Sequence, residues 1–66
     1  MKNNIKVHRV IKGLSQDQLA GLVNVSRQTI NALEASKYVP STVLALKIAK
    51  VLEKNMEDLF ELEAED

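Results

Sequence analysis

The segment Ser15–Glu34, SQDQLAGLVNVSRQTINALE, carries two short helical patterns with only Asn24, Val25 and Ser26 between them. This close spacing constrains the fold more than any other feature of the chain. Leu19, Ala20, Leu22 and Val23 recur at helical spacing, and so do Ile30 and Leu33. Ser15, with Gln18 three residues on, is the pair that forms a capping box, and Ser26 caps the second pattern. Asn24 tolerates the positive φ that a sharp helix exit requires. Helices joined this tightly pack at a steep angle only where a small residue lets their backbones approach, and Ala20 is placed to be that residue.

Three more helices can be placed around this pair. The first runs from about Asn4 to Lys12, with Ile5, Val7, Val10 and Ile11 apolar and Gly13 available as the left-handed residue that ends it. Pro40 disfavours helix in the residue before it, and Ser41 caps a fourth helix whose Ala45, Ile48, Ala49 and Leu52 make a buried stripe. Asn55 caps a last short helix containing Met56, Leu59 and Phe60. Alternation never persists, so no strand is expected. The fold class is all-α, a compact five-helix bundle over residues 1–62, followed by a frayed acidic tail at residues 63–66. A chain of 66 residues buries only about 60% of its unfolded surface and makes one core. Without cysteine, aliphatic packing must hold that core, and oligomerisation can add to it.

The zero formal charge conceals an asymmetry. Residues 1–52 hold eight Lys or Arg against Asp17 and Glu34, a net of plus six, and residues 53–66 hold seven acids against Lys54, a net of minus six. A basic body with an acidic end suits a body that faces a polyanion. No apolar run approaches the roughly 20 residues of a membrane span, and the start MKNNIKVHRV lacks the apolar stretch of a signal peptide, so a soluble, cytoplasmic protein is expected.

If Ile30 and Leu33 face inward, Arg27, Gln28 and Asn31 share the outward side of the third helix, with Ala32 at its edge. Arginine can pair bidentately with guanine, and glutamine and asparagine with adenine, in the major groove. With these residues in place the sequence resembles the helix-turn-helix DNA-binding domains of the phage repressor and Cro type. The resemblance covers about Ile5 to Phe60, densest in GLSQDQLAGLVNVSRQTINALE and supported by KYVPS and ALKIAKVL.

The resemblance implies a transcriptional regulator that occupies an operator in double-stranded DNA, its second helix crossing the backbone and its third reading bases. Carried over by position, Arg27, Gln28 and Asn31 read bases and Ala32 touches a thymine methyl. Gln16 meets a phosphate at the start of the second helix. Thr29, Ser36, Lys37 and Ser41 are further phosphate contacts by their nearness to that surface. Arg9 and Glu34 match a family ion pair between the first and third helices. The chain departs from the pattern at Asn24, where glycine is commoner, and at Ala35-Ser36, where Asn-Gly is usual. It also departs at Thr42-Val43, which leaves Val43 exposed.

The remaining chemistry is sparse. His8 has no second ligand or cysteine near it in sequence, and Ser15, Ser26 and Ser41 are explained as helix caps rather than nucleophiles. No enzyme, cofactor or metal is expected. Leu59, Phe60 and Leu62 can cover the open end of the core and also form a homodimer interface, which would let two recognition helices read two half-sites. The acidic tail is a solvated terminus or the contact for a protein partner, and the rival reading is an antitoxin-like protein-interaction module.

Overall fold

Serine hydroxyls begin three of the helices, and a left-handed residue ends each of the four longer ones. In the computed structural model, which describes residues 1–66, the order is β1 (Lys2–Asn3), α1 (Ile5–Ile11), α2 (Gln16–Val23), α3 (Arg27–Glu34), α4 (Thr42–Leu52), α5 (Met56–Leu59) and β2 (Phe60–Glu61). Ser15 Oγ accepts from the Gln18 N–H at 3.0 Å while Gln18 Oε1 accepts from the Ser15 N–H at 2.8 Å, the reciprocal capping box. Ser26 and Ser41 accept from Thr29 N–H at 3.2 Å and Leu44 N–H at 3.1 Å. At α5 it is the Asp58 carboxylate that reaches back to the Asn55 N–H, at 3.3 Å.

The exits share one geometry. Gly13, Asn24, Ser36 and Glu53 have φ of 75°, 62°, 58° and 56°. The residue after each donates to a carbonyl five residues back: Leu14 to Arg9, Val25 to Ala20, Lys37 to Ala32 and Lys54 to Ala49, all within 3.0 to 3.1 Å. These bonds satisfy carbonyls that a helix end leaves without partners.

Ile5, Leu19, Ala20, Val23, Ile30, Leu33, Ile48, Ala49, Leu52 and Leu59 form a single aliphatic core, edged by Leu14, Val25, Leu44, Val51, Met56 and Phe60. Ala20 is 3% exposed, so its small side chain lies within the packed region. The apolar residues Val7, Val10 and Ile11 of α1 point to solvent, as do Leu22 and Val43. Ile5 instead carries the buried contact of α1, with Arg9 one turn further along.

Two expectations are corrected. The absence of strands fails: β1 and β2 pair antiparallel, Lys2 opposite Glu61 and Asn3 opposite Phe60, which moves Phe60 out of the last helix and into a strand. Two residues are too few for alternation to register, and pairing across nearly the whole chain has no local signature. The tail is not frayed. It turns at Glu63–Asp66, where Asp66 accepts from the Glu63 N–H at 2.7 Å, and the Met1 ammonium pairs with Glu63 at 2.9 Å and Asp66 at 3.2 Å. Its hydrogen bonds to the Glu63 and Asp66 carboxylates raise the pKa of the Met1 ammonium above its ordinary value. Lys12 bonds Glu53, holding the pKa of that carboxyl below its ordinary value and tying the exit of α1 to that of α4.

Ser36 is a residue with a Cβ in the left-handed region, at φ 58°, a conformation that costs about 1 kcal/mol or more and that glycine adopts freely. Ser36→Gly is expected to raise stability by about 0.5 to 1 kcal/mol, seen as a higher urea midpoint at unchanged slope. A lower midpoint would mean that the 3.4 Å contact from Asn3 Nδ2 to Ser36 Oγ outweighs the backbone strain.

Candidate nucleic-acid interface

The outward face of α3 follows from what its inward face must do. Ile30 and Leu33 are 0% exposed, Thr29, Ala32 and Glu34 are half-buried at the flanks, and the remaining side lies toward solvent. Arg27, Gln28 and Asn31 are exposed and together line one shallow surface depression, with no apolar residue in it. Ala32 is half-buried beside them. A second depression adjoins at Asn31 and is lined by Lys6, Gln16, Asn31, Glu34 and Ala35. The two hollows therefore share the Asn31 side chain.

Beneath that shared wall lies a polar cluster. Arg9 is a buried charged residue, 9% exposed. Its Nε and Nη2 donate to Glu34 Oε2 and Oε1 at 2.6 and 3.1 Å, and its Nη1 donates to the Leu14 carbonyl at 2.8 Å. The Glu34 side chain is 5% exposed. Gln16 Nε2 donates to the same Glu34 Oε1 at 3.1 Å, and Asn31 Nδ2 donates to Gln16 Oε1 at 3.5 Å. A fork of guanidinium donors matched to one carboxylate fixes the placement of α1 against α3 in both distance and direction.

The residues expected near phosphates are more scattered in chemistry. Gln16 occupies the first position of α2 and is half-buried by its bonds to Glu34 and Asn31. The Thr29 hydroxyl lies 2.9 Å from Ser26 Oγ, inside the cap of α3. Ser36 and Lys37 are exposed beyond the C-terminal end of α3, and Ser41 is exposed with its hydroxyl accepting at the start of α4. Of the apolar trio near the end of the chain, Leu59 is 0% exposed within the core, Phe60 is half-buried and Leu62 is 78% exposed. Leu59 is thus unavailable to a second chain, and its neighbours alone offer surface.

Two further residues join this region without any signal in the sequence. Asn3, from β1, donates to the Leu33 carbonyl at 2.7 Å, a second donor to an oxygen that already accepts from the Ser36 N–H at 3.0 Å, and so ties β1 to the end of α3. Lys6, on α1, lines the same depression as Gln16 and Asn31. Both come from the first helix and the strand before it, segments whose approach to α3 is set by tertiary packing.

Removing one partner of a buried ion pair leaves the other charge without compensation. Glu34→Ala is expected to lower unfolding free energy by about 3 to 5 kcal/mol, whereas the double change Arg9→Met with Glu34→Leu should recover most of that loss. Urea unfolding of the single and double variants measures both. Equal destabilisation in the two would show that the pair matters for its shape rather than its charge.

Comparison with known proteins places this geometry. A family model described as helix-turn-helix matches residues 5–59. The chain is 50% identical over 66 residues, covering all of both chains, to YgzD of Bacillus subtilis, named an uncharacterized HTH-type transcriptional regulator. It is also 50% identical over 60 residues, 91% of each chain, to an uncharacterized HTH-type transcriptional regulator of Methanocaldococcus jannaschii. Among solved structures it matches the restriction-modification controller protein C.AhdI from Aeromonas hydrophila, with a TM-score of 0.77, 34% identity and 85% coverage of each chain. With the paired helices α2 and α3 at its centre, the chain belongs to the helix-turn-helix family of the repressor and Cro type.

Proposed function

We propose that the protein binds double-stranded DNA at specific sequences and regulates transcription by occupying an operator. The observation that carries this reading is the outward face of α3. Arg27, Gln28 and Asn31 stand side by side, exposed and free of any part in the core. Those side chains have the donor and acceptor sets that match guanine and adenine edges, and a short helix braced from behind can enter the major groove. Ala32, at the margin of that face, is sized to meet a thymine methyl. Family membership and relatives named as transcriptional regulators support the same reading.

Around the base readers, Gln16 presents the start of α2, and Thr29, Ser36, Lys37 and Ser41 present hydroxyls or charge for the flanking phosphates. Lys6 adds a positive charge beside Gln16 and Asn31. These contacts position the protein and carry no sequence information. No helix is long and apolar enough to cross a membrane, and the reading as a DNA-binding regulator supports a cytoplasmic protein.

One recognition helix makes few base contacts, so the functional unit in this reading is a homodimer that sets two copies of α3 in successive major grooves. The exposed Leu62 and half-buried Phe60 supply its apolar surface. Sedimentation equilibrium at micromolar concentration should give twice the 7.4 kDa chain mass, and a strictly monomeric mass would remove the dimer from the reading.

Base readers and phosphate contacts separate in mutants. Once a site has been selected from random duplex DNA, Arg27→Ala is expected to cost about 1 to 3 kcal/mol on that site and far less on scrambled DNA. Lys37→Ala should weaken both similarly and flatten the salt dependence. Equal losses on the two DNAs for Arg27→Ala would take base reading away from that residue.

A further inference from the structure

The base-reading side chains differ in what stands behind them. Asn31 is the one tied to the protein interior, through Gln16 to Glu34 and on to Arg9. We propose that Glu34 is a positioning residue for sequence recognition, setting through Gln16 which way the Asn31 amide faces; this rests on the DNA-reading function above.

The direction of the chain follows from donor and acceptor chemistry. A carboxylate only accepts, so the Gln16 group 3.1 Å from Glu34 Oε1 must be its NH2. That leaves the Gln16 carbonyl oxygen pointing toward α3, where it can only receive a donor. Asn31 answers with Nδ2, at 3.5 Å. Reversing either amide would set two oxygens against each other, and for Gln16 that clash would fall against the carboxylate in the part-buried contact with Glu34, where it is costly. Asn31 Nδ2 carries two hydrogens. One points to Gln16, and the other remains, with Oδ1, on the exposed side. Oδ1 beside an N–H is the pair that meets N6–H and N7 of adenine.

Arg9 makes the carboxylate a fixed reference. Its guanidinium holds both Glu34 oxygens, at 2.6 and 3.1 Å, in a site where the two side chains are 10% and 5% exposed. The relay therefore runs from a buried ion pair to an exposed amide in two steps. Each step removes a choice of orientation that a free asparagine on a helix surface would keep, and the entropy of that choice is lost before DNA arrives. Gln16 is then both a phosphate neighbour and the middle of the relay, so the backbone contact and the base contact are coupled through one side chain.

The test compares wild-type protein with Glu34→Gln and Gln16→Leu on the selected DNA site and on variants of it at every base pair. Asn31→Ala marks the base pair that Asn31 reads, and circular dichroism melts establish folding. A glutamine at position 34 nearly keeps the shape but offers an N–H as readily as an oxygen, so the orientation signal is lost. The expected result is that Glu34→Gln lowers preference at the Asn31 base pair about tenfold, with preference at the Arg27 base pairs unchanged. If Glu34→Gln fails to fold, Gln16→Leu decides, because it leaves the Arg9–Glu34 pair intact. It should weaken all DNA through the lost phosphate contact and, in addition, reduce preference at the Asn31 base pair. Folded variants that lose affinity evenly across all positions, or keep the preference at the Asn31 base pair, overturn the relay alone. Wild-type protein with no base preference at all overturns the DNA-reading function and the relay with it.

Discussion

The interaction on which the rest of the structure depends is the ion pair between Arg9 and Glu34. It joins α1 to α3, and it is nearly closed to water. Removing two charges from solvent is costly, and the cost is offset here because Arg9 meets two carboxylate oxygens and the Leu14 carbonyl. Two apolar side chains of similar size would pack in the same space. They would not specify a direction, whereas a guanidinium fork and a carboxylate fit in one relative orientation. The turn after α1, the axis of α3 and the Gln16 side chain are all referred to this point.

Short helices need such references. The helices here run from four to eleven residues, and segments of that length are marginal in water without tertiary support. Local chemistry delimits them: α2 to α5 start at hydroxyl or carboxylate acceptors, and the four longer helices exit through left-handed residues. Packing then does the rest. A helix that gives its inner face to Ile30 and Leu33 and has its last turn held by Asn3 through the Leu33 carbonyl has little freedom left. Its outer face can be entirely polar because the inner face alone anchors it, and rigidity before binding reduces the ordering cost of recognition.

Much of this could be read along the chain because its causes are local. Ser15 with Gln18, Ser26 and Ser41 cap helices through contacts three residues away, and Gly13 and Asn24 sit where a left-handed residue ends a helix. The spacing of Ala45, Ile48, Ala49 and Leu52 identified the buried stripe of α4 for the same reason, since helical periodicity maps sequence onto a face. The grouping of Arg27, Gln28 and Asn31 on one side of α3 needed no more than the inward placement of Ile30 and Leu33. Ser36 was harder, because its left-handed φ is imposed by closure of the helix end rather than invited by the residue type.

The sequence by itself therefore determined the helices, their ends, the aliphatic core and the polar character of the exposed face of α3, all set by interactions within a few residues. Only the tertiary structure decided what distant segments do to one another. Asn3 and Phe60 pair as strands, Asn3 bonds the Leu33 carbonyl in the last turn of α3, Lys6 comes to the edge of the Asn31 depression, and Leu59 is withdrawn into the core while Leu62 stays outside. It also decided that the carboxylate paired with Arg9 takes the Gln16 amide, and that this amide meets Asn31. Residues 15 or more positions apart leave no period or cap to reveal their contact. Their meeting depends on how whole helices pack, and packing responds to the sum of the core rather than to any one stretch of chain.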